Sequence, residues 1–220
     1  MSSNTFFSFF GDRFVINVDS EKKRLQSFYE TMNAYDILNV SRFPAVSHAI
    51  GVKGCGFSHL NIIKEAKKRG LDSVFVFEDD LEFVDFDATI LNSIIPYLIN
   101  NPWDFLRMSY TYHGELQHLE QGRERGLICR RHSSLVEFKK EHSRSHSLCN
   151  QVASAYHSSI FDKIINEFDP ETCPTNDLWL PANLNSLCIT PQMAIQNIPS
   201  GKREFHLNKK QMIDNFLSAL

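Results

Sequence analysis

The stretch SVFVFEDDLEF, residues 73–83, decides how the rest of the chain is read. Four consecutive apolar residues, Val74 to Phe77, run into three consecutive carboxylates, Glu78, Asp79 and Asp80, before Leu81 and Phe83 turn apolar again. An apolar run without alternation reads as a strand covered on both faces, the pattern of a central strand in a parallel sheet. Adjacent carboxylates repel one another, and a buried one without a partner is expensive. A compensating cation is therefore expected where this strand ends. Oxygen donors of this kind suit Mg²⁺ or Mn²⁺, which keep open positions for phosphate oxygens. The plainer alternative is a helix cap or a solvated turn at Asp79 or Asp80.

Outward from this strand the pattern alternates. RFVINV, residues 13–18, reads as a strand, and Leu25, Phe28, Tyr29 and Met32 then recur at helical spacing, with Asp19 or Ser20 as N-cap. RFPAV, residues 42–46, is extended, because Pro44 disfavours helix at Phe43. GVKGCG supplies three glycines ahead of a helix from about Phe57 to Arg69, closed by Gly70 as C-cap. A helix over about 87–100, kinked by Pro96, leads to the strand WDFLRMSY. The order strand, helix, strand, helix, strand, helix, strand means an α/β domain with a mostly parallel sheet.

From His113 to His146 the sequence is polar and basic, and loops or a small hairpin are expected, with GLICR and LVEF as its strands. Regularity returns with NQVASAY, followed by a helix through Ile160, Ile164, Ile165 and Phe168. PTNDLWLPANL reads as a loop entering a short helix at Asn176 or Asp177, SLCITPQMAIQN as a late strand, and the tail from Lys209 as a helix. No repeat and no linker divides the 220 residues, so a single domain is expected.

Composition excludes several classes. With 42% hydrophobic and 22% charged residues the chain is globular rather than disordered, and its 18 phenylalanines imply an aromatic-rich core. A net charge of −3 argues against nonspecific binding to nucleic-acid phosphates. The opening NTFFSFF lacks the basic flank and cleavage site of a signal peptide, and no run approaches the roughly 20 apolar residues of a membrane span. Five scattered cysteines fit a reducing compartment, so a cytoplasmic protein is expected.

Four stretches resemble a known family, the glycosyltransferases that include bacterial lipooligosaccharide galactosyltransferases and collagen galactosyltransferases (glycosyltransferase family 25). VINVDSEKKR, residues 15–24, looks like the family's Ile-Asn-Leu-Asp-Arg with a later arginine, here Arg24. RFPAV looks like its Arg-Phe-x-Ala-Val. GCGFSHLNIIKEAKKRGLDSVFVFEDDLEF, residues 54–83, is similar to its Gly-Cys-x-x-Ser-His helix, apolar strand and Glu-Asp-Asp. PTNDLWL resembles its late Pro-x-Asp segment. Val18 and Ser20 depart from the pattern, and the second bears on donor identity.

The resemblance implies a GT-A fold, with residues 13–110 as the nucleotide-sugar-binding half and 111–220 as acceptor side and C-terminal elements. It implies transfer of a hexose, galactose or glucose, from a UDP-sugar to an acceptor hydroxyl on a glycan, a lipid-linked sugar or a protein, with inversion. Asp80 would ligate Mn²⁺ or Mg²⁺, with Asp79 as a further ligand, and Asp79 or Glu78 would orient ribose or a metal-bound water. Asn17 and Asp19 are candidates for the nucleoside, or simply for strand exit and helix capping. Ala45 and Val46 would line the base pocket. Ser58 and His59, placed at a helix start, would meet diphosphate or sugar. Inversion needs a base, and Asp177 beside Trp179 is the candidate. His206 would complete the metal shell.

Cys129, His132, His142, His146 and Cys149 form a rival pattern with zinc-ligand spacing, in a segment that reads equally as a solvated basic loop. Two other functions compete with glycosyl transfer. One is a non-catalytic protein of the same fold that binds a nucleotide-sugar or glycan. The other is a metal-dependent nucleotidyltransferase.

Overall fold

The computed structural model describes residues 4–112, 114–132, 134–140, 148–173, 175–197 and 202–220. β1 (Asp12–Asn17), β2 (Val40–Pro44) and β3 (Ser73–Glu78) alternate with α2 (Lys22–Ala34) and α3 (Gly51–Lys68). β5 (Phe105–Arg107), β7 (Ile128–His132), β8 (Leu135–Phe138), β10 (Ala153–His157) and β11 (Ser186–Ile189) complete an eight-stranded sheet in the order β2-β1-β3-β10-β5-β11-β8-β7. β10 and β8 run against the other six strands. Two short ribbons lie outside this sheet, β4 (Leu81–Phe83) with β12 (Ala194–Gln196) and β6 (Thr111–Tyr112) with β9 (Leu148–Cys149). This is a mixed α/β fold with a mostly parallel central sheet flanked by helices.

β3 is central, as its unbroken apolar run requires, and its residues alternate between two cores. Phe75 and Phe77 face one side, with Phe6, Phe7 and Phe10, Trp103, and Phe28 and Met32 of α2. Val74 and Val76 face the other, with Leu60, Ile63 and Ala66 of α3 and Phe161 and Ile164 of α7 (Phe161–Glu167). The opening helix α1 (Asn4–Ser8) thus belongs to the core, with the Phe7 ring edge-on to Phe75 at 5.2 Å. Each such ring contributes roughly 1.5–3 kcal/mol through burial. Among the described residues no helix is long and apolar enough to cross a membrane.

Several expectations shift. α2 takes Glu21 as N-cap, with no side-chain cap bond, because the turn closed by Glu21 N–H on Val18 O (2.9 Å) delays the helix past Asp19 and Ser20. Pro96 breaks the expected long helix into α4 (Ala88–Ser93), capped by Asp87, and α5 (Ile95–Asn100). The strand expected in WDFLRMSY is confined to the three residues of β5. The polar middle holds the β7–β8 hairpin and also α6 (Leu116–Glu124), whose buried residues are Leu119 and Gly122, too few to show a period. α8 (Asn176–Asn183) starts where expected, capped by Thr175. The last helix, α9 (Lys202–Ser218), begins before Lys209 because its first turns are polar and half-exposed.

The largest correction concerns the glycines. GVKGCG is not a loop before α3 but its first turns, although glycine is worth about 1 kcal/mol less than alanine in a helix. Tertiary packing overrides that preference. A Cβ on Gly54 would stand 2.5 Å from the Val46 carbonyl oxygen, and one on Gly56 would stand 3.2 Å from the Phe168 ring. The helix needs Gly54 to lie close against the exit of β2 and Gly56 to lie close against Phe168 and Pro170. Gly54→Ala is therefore expected to destabilise the protein by about 1–3 kcal/mol in urea unfolding. Gly51→Ala, which meets nothing within 4 Å, is expected to be neutral or slightly stabilising. Equal effects at both positions would contradict the close-approach reading.

Candidate active site

β1 and β3 are parallel neighbours, but the chain leaves β1 toward β2 on one side and leaves β3 toward β5 on the other. Connections that diverge in this way open a crevice at the carboxyl ends of the two strands, the usual ligand position in α/β sheets. The residues closing those ends are Asn17 and Glu78. A cleft of about 550 Å³ lies there, walled by Ile16, Val18, Ala45 and Val46 on one side and by Cys55, Glu78, Asp79 and Asp80 on the other. An adjoining recess of about 370 Å³ shares Arg24, Asp79, Asp80 and Gln196 and reaches Ser27, Phe28 and Thr31 of α2.

The acidic residues are held individually. Asp79 accepts from Asn17 Nδ2 at 2.6 Å and pairs with Arg24. Asn17 is buried, and Arg42 Nε donates to its Oδ1 at 3.0 Å, which fixes the amide so that its NH₂ faces Asp79. Asp80 accepts from Gln196 Nε2 at 2.8 Å and has Arg24 at 3.4 Å, while its Oδ1 is buried without a hydrogen bond. Burial, then the charge of Glu78, raises the Asp80 carboxyl from 3.8 to about 6. Burial raises Asp79 as well, against the pull of Asn17 and Arg24. Glu78 lies below its ordinary value: burial acts to raise it, and His59, Cys55 and Arg24 together outweigh burial. The triplet is short of positive charge, and the partly exposed Arg24 bridges Asp79 and Asp80. Two adjacent carboxylates lining a cleft, one of them with an oxygen that lacks a hydrogen bond, fit a hard divalent cation.

Of the residues expected to act here, Ala45, Val46, Glu78, Asp79 and Asp80 line the cleft, and Asn17 lies beneath Asp79. Asp19 is exposed, pairs with Arg42 and does not line the cleft. Ser58 and His59 do not sit at a helix start. They lie well inside α3 and are fully buried, because the glycines ahead of them are helical. Ser58 Oγ accepts from Val46 N–H (2.8 Å) and donates to Gly54 O (2.7 Å), pinning the β2 exit to the helix. Neither presents backbone N–H groups to an anion.

Asp177 lies in the first turn of α8 with Oδ1 buried and without a hydrogen bond. Burial, then the charge of Glu78, raises it from 3.8 to about 6. It is not on the cleft wall, although its charge is felt at Cys55 and Tyr156. His206 lies in α9 with Nδ1 3.4 Å from Thr111 Oγ1 and does not line the cleft. Of the Cys/His pattern in the middle segment, His142 and His146 lie outside the described residues, and Cys129 Sγ donates to Gly126 O at 3.1 Å.

Sequence reasoning did not select Arg24, Arg42, Gln196 or Cys55 as site residues. Arg24 and Arg42 stand inside the quoted motifs and were legible there. Gln196 carries no local signal, since it reaches Asp80 only because β12 pairs with β4. No family model matches the chain, and no curated protein matches it. Among solved structures it is similar to a chain described as a mannose-1-phosphate geranyltransferase from Thermus thermophilus. That match has 9% identity and a TM-score of 0.42, and it covers 83% of this chain and 60% of the other. A likeness of that degree adds nothing to what the sheet shows by itself.

The raised Asp80 value has a consequence for stability. A carboxylate whose folded value exceeds its unfolded one opposes folding above about 6, and that opposition fades as pH falls toward 3.8. In chelator, Asp80→Asn is therefore expected to stabilise the protein at pH 7.5 by about 1–3 kcal/mol, with a smaller gain at pH 4.5. Urea unfolding at both values measures it, and destabilisation at pH 7.5 would contradict the charge-strain account.

Proposed function

We propose that the protein is a metal-dependent glycosyltransferase of GT-A type, resembling family 25, which transfers a hexose from a UDP-sugar to an acceptor hydroxyl with inversion. The observation that carries this reading is the crevice between β1 and β3, where the acid pair meets a pocket walled by Ala45 and Val46. A donor with its base against Ala45 and Val46 would point its diphosphate at Asp79 and Asp80. Asp80, with Asp79, would hold Mn²⁺ or Mg²⁺, whose charge would stabilise the leaving diphosphate. His206 is left outside this metal shell, given its place against Thr111.

The other groups have assignable work. Asn17 and Arg42 keep the Asp79 carboxylate turned toward the cleft. Arg24, which pairs with both aspartates in the free protein, would become available to diphosphate oxygens once a cation took its place. Asp177, with a carboxyl near 6, has a proton affinity suited to general-base work close to neutral pH. Glycans, lipid-linked sugars and protein hydroxyls all fit as acceptors, and the five free thiols support a cytoplasmic location.

A panel of nucleotide-sugars with Mn²⁺, scored for slow donor hydrolysis and for thermal stabilisation, tests the reading. Selective turnover of one UDP-hexose, falling at least about 100-fold in Asp80→Ala, is expected. Stabilisation without turnover, even with acceptors present, would replace the enzyme by a binding protein. Pyrophosphate release from a nucleoside triphosphate and a sugar phosphate would replace it by a nucleotidyltransferase. Asp177→Asn is expected to lower transfer about 100-fold or more while donor affinity stays within about twofold. Equal loss of both would remove Asp177 from the base role.

A further inference from the structure

Beneath the acid pair lies a second donor set. Once GVKGCG is helical, Cys55 and His59 are four residues apart on α3 and share one face of it, where they meet Glu78 at the end of β3. Cys55 Sγ and His59 Nε2 each lie 3.5 Å from Glu78 Oε1, and the three atoms are all within 4.8 Å of one another. Ligands on one tetrahedral ion, at bond lengths of about 2.0–2.3 Å, stand roughly 3.3–3.8 Å apart. The two contacts with Glu78 already have that spacing.

His59 supplies the independent sign. It is 1% exposed, and its Nε2 has no hydrogen-bond partner, while Nδ1 lies 2.9 Å from Tyr156 OH. Tyr156 OH in turn donates to Gln151 Oε1 at 3.3 Å. In one tautomer Nε2–H faces Glu78 and lowers its carboxyl; in the other, with Nδ1–H donating to the phenol oxygen and the phenol proton passed to Gln151, Nε2 is free to ligate a metal. A histidine oriented in this way by its other nitrogen is how metal-ligating imidazoles are held. In either tautomer Nε2 stands against a carboxylate and a thiol, three donor atoms gathered at one point.

We propose that Cys55, His59 and Glu78 form a binding site for a zinc-class divalent ion, separate from the hard-cation site at Asp79 and Asp80. A thiolate, an imidazole and one carboxylate oxygen select a borderline-soft metal over Mg²⁺ or Mn²⁺. Cys55 and Glu78 both line the cleft, so an ion would have a route in, and a position left by the three side chains would be available to water or a ligand from there. Binding displaces the Cys55 proton, and burial together with the charges of Glu78 and Asp177 holds that proton tightly in the free protein. Occupancy therefore increases with pH. A bound ion would tie α3 to the end of β3 and fix the Glu78 side chain next to the acid pair.

Cobalt substitution tests this, because a sulfur-ligated tetrahedral Co²⁺ gives intense visible bands and a thiolate charge-transfer band, whereas Co²⁺ on carboxylates and water gives neither. Chelator-stripped protein titrated with Co²⁺ is expected to show both features at one equivalent, and Asp80→Ala is expected to keep them. Cys55→Ser should lose the charge-transfer band and His59→Gln should weaken binding at least tenfold. A second readout needs no variant: zinc should protect Cys55 in the wild-type protein from alkylation, mapped by mass spectrometry, and Mg²⁺ should not. Absence of the charge-transfer band, or equal alkylation of Cys55 with and without zinc, overturns the proposal and leaves His59 and Glu78 as an ordinary buried ion pair.

Discussion

The structure turns on negative charge concentrated at the end of a strand that has no exposed face. β3 is covered by aromatic side chains on one side and by α3 and α7 on the other, so Glu78, Asp79 and Asp80 emerge from the interior rather than from a solvated turn. Their repulsion is only partly met by Asn17, Arg24 and Gln196, which leaves Asp80 with an orphaned oxygen and a carboxyl near 6. A fold under no functional demand would relieve that strain with an amide or a second arginine. Electrostatic strain retained beside a cleft is what the proposed cation would relieve.

The remaining architecture serves to keep that charge in place. Gly54 lets α3 approach the β2 exit, Ser58 ties the two together, and the same register brings Cys55 and His59 up to Glu78. Arg42 reaches across from β2 to set the Asn17 amide, which in turn aims at Asp79. Asn17, Arg42, Gly54, Cys55, Ser58 and His59 all sit on β1, β2 or α3, which favours a preformed site. Arg24 is the exception: it is partly exposed, its partners are the two aspartates, and a cation would compete with it directly.

Much of this was legible in the sequence. The apolar run before Glu78 placed β3 at the centre, and the strand–helix alternation indicated the parallel half of the sheet, because those signals come from burial and survive without tertiary context. The antiparallel β10 and the β7–β8 edge were visible only as isolated apolar runs, since their partners lie far away in sequence. The start of α3 was misplaced because glycine argues against helix locally, while the reason for glycine there is a carbonyl oxygen contributed by Val46. That one displacement also moved Ser58 and His59 from an imagined anion site into the core and hid the Cys55–His59 spacing. Gln196 was beyond reach for the same kind of reason, as its contact with Asp80 exists only once β12 lies beside β4.

The central claim is that the carboxylates ending β3 are there to hold a cation facing a nucleoside diphosphate. Anomalous diffraction from crystals soaked with Mn²⁺ and uridine diphosphate tests it most directly. A manganese peak is expected within bonding distance of Asp80, bridging to diphosphate oxygens, with Arg24 displaced from the acid pair. Ordered uridine diphosphate elsewhere, or an acid pair still closed on Arg24 with no ion beside it at saturating Mn²⁺, would contradict the account.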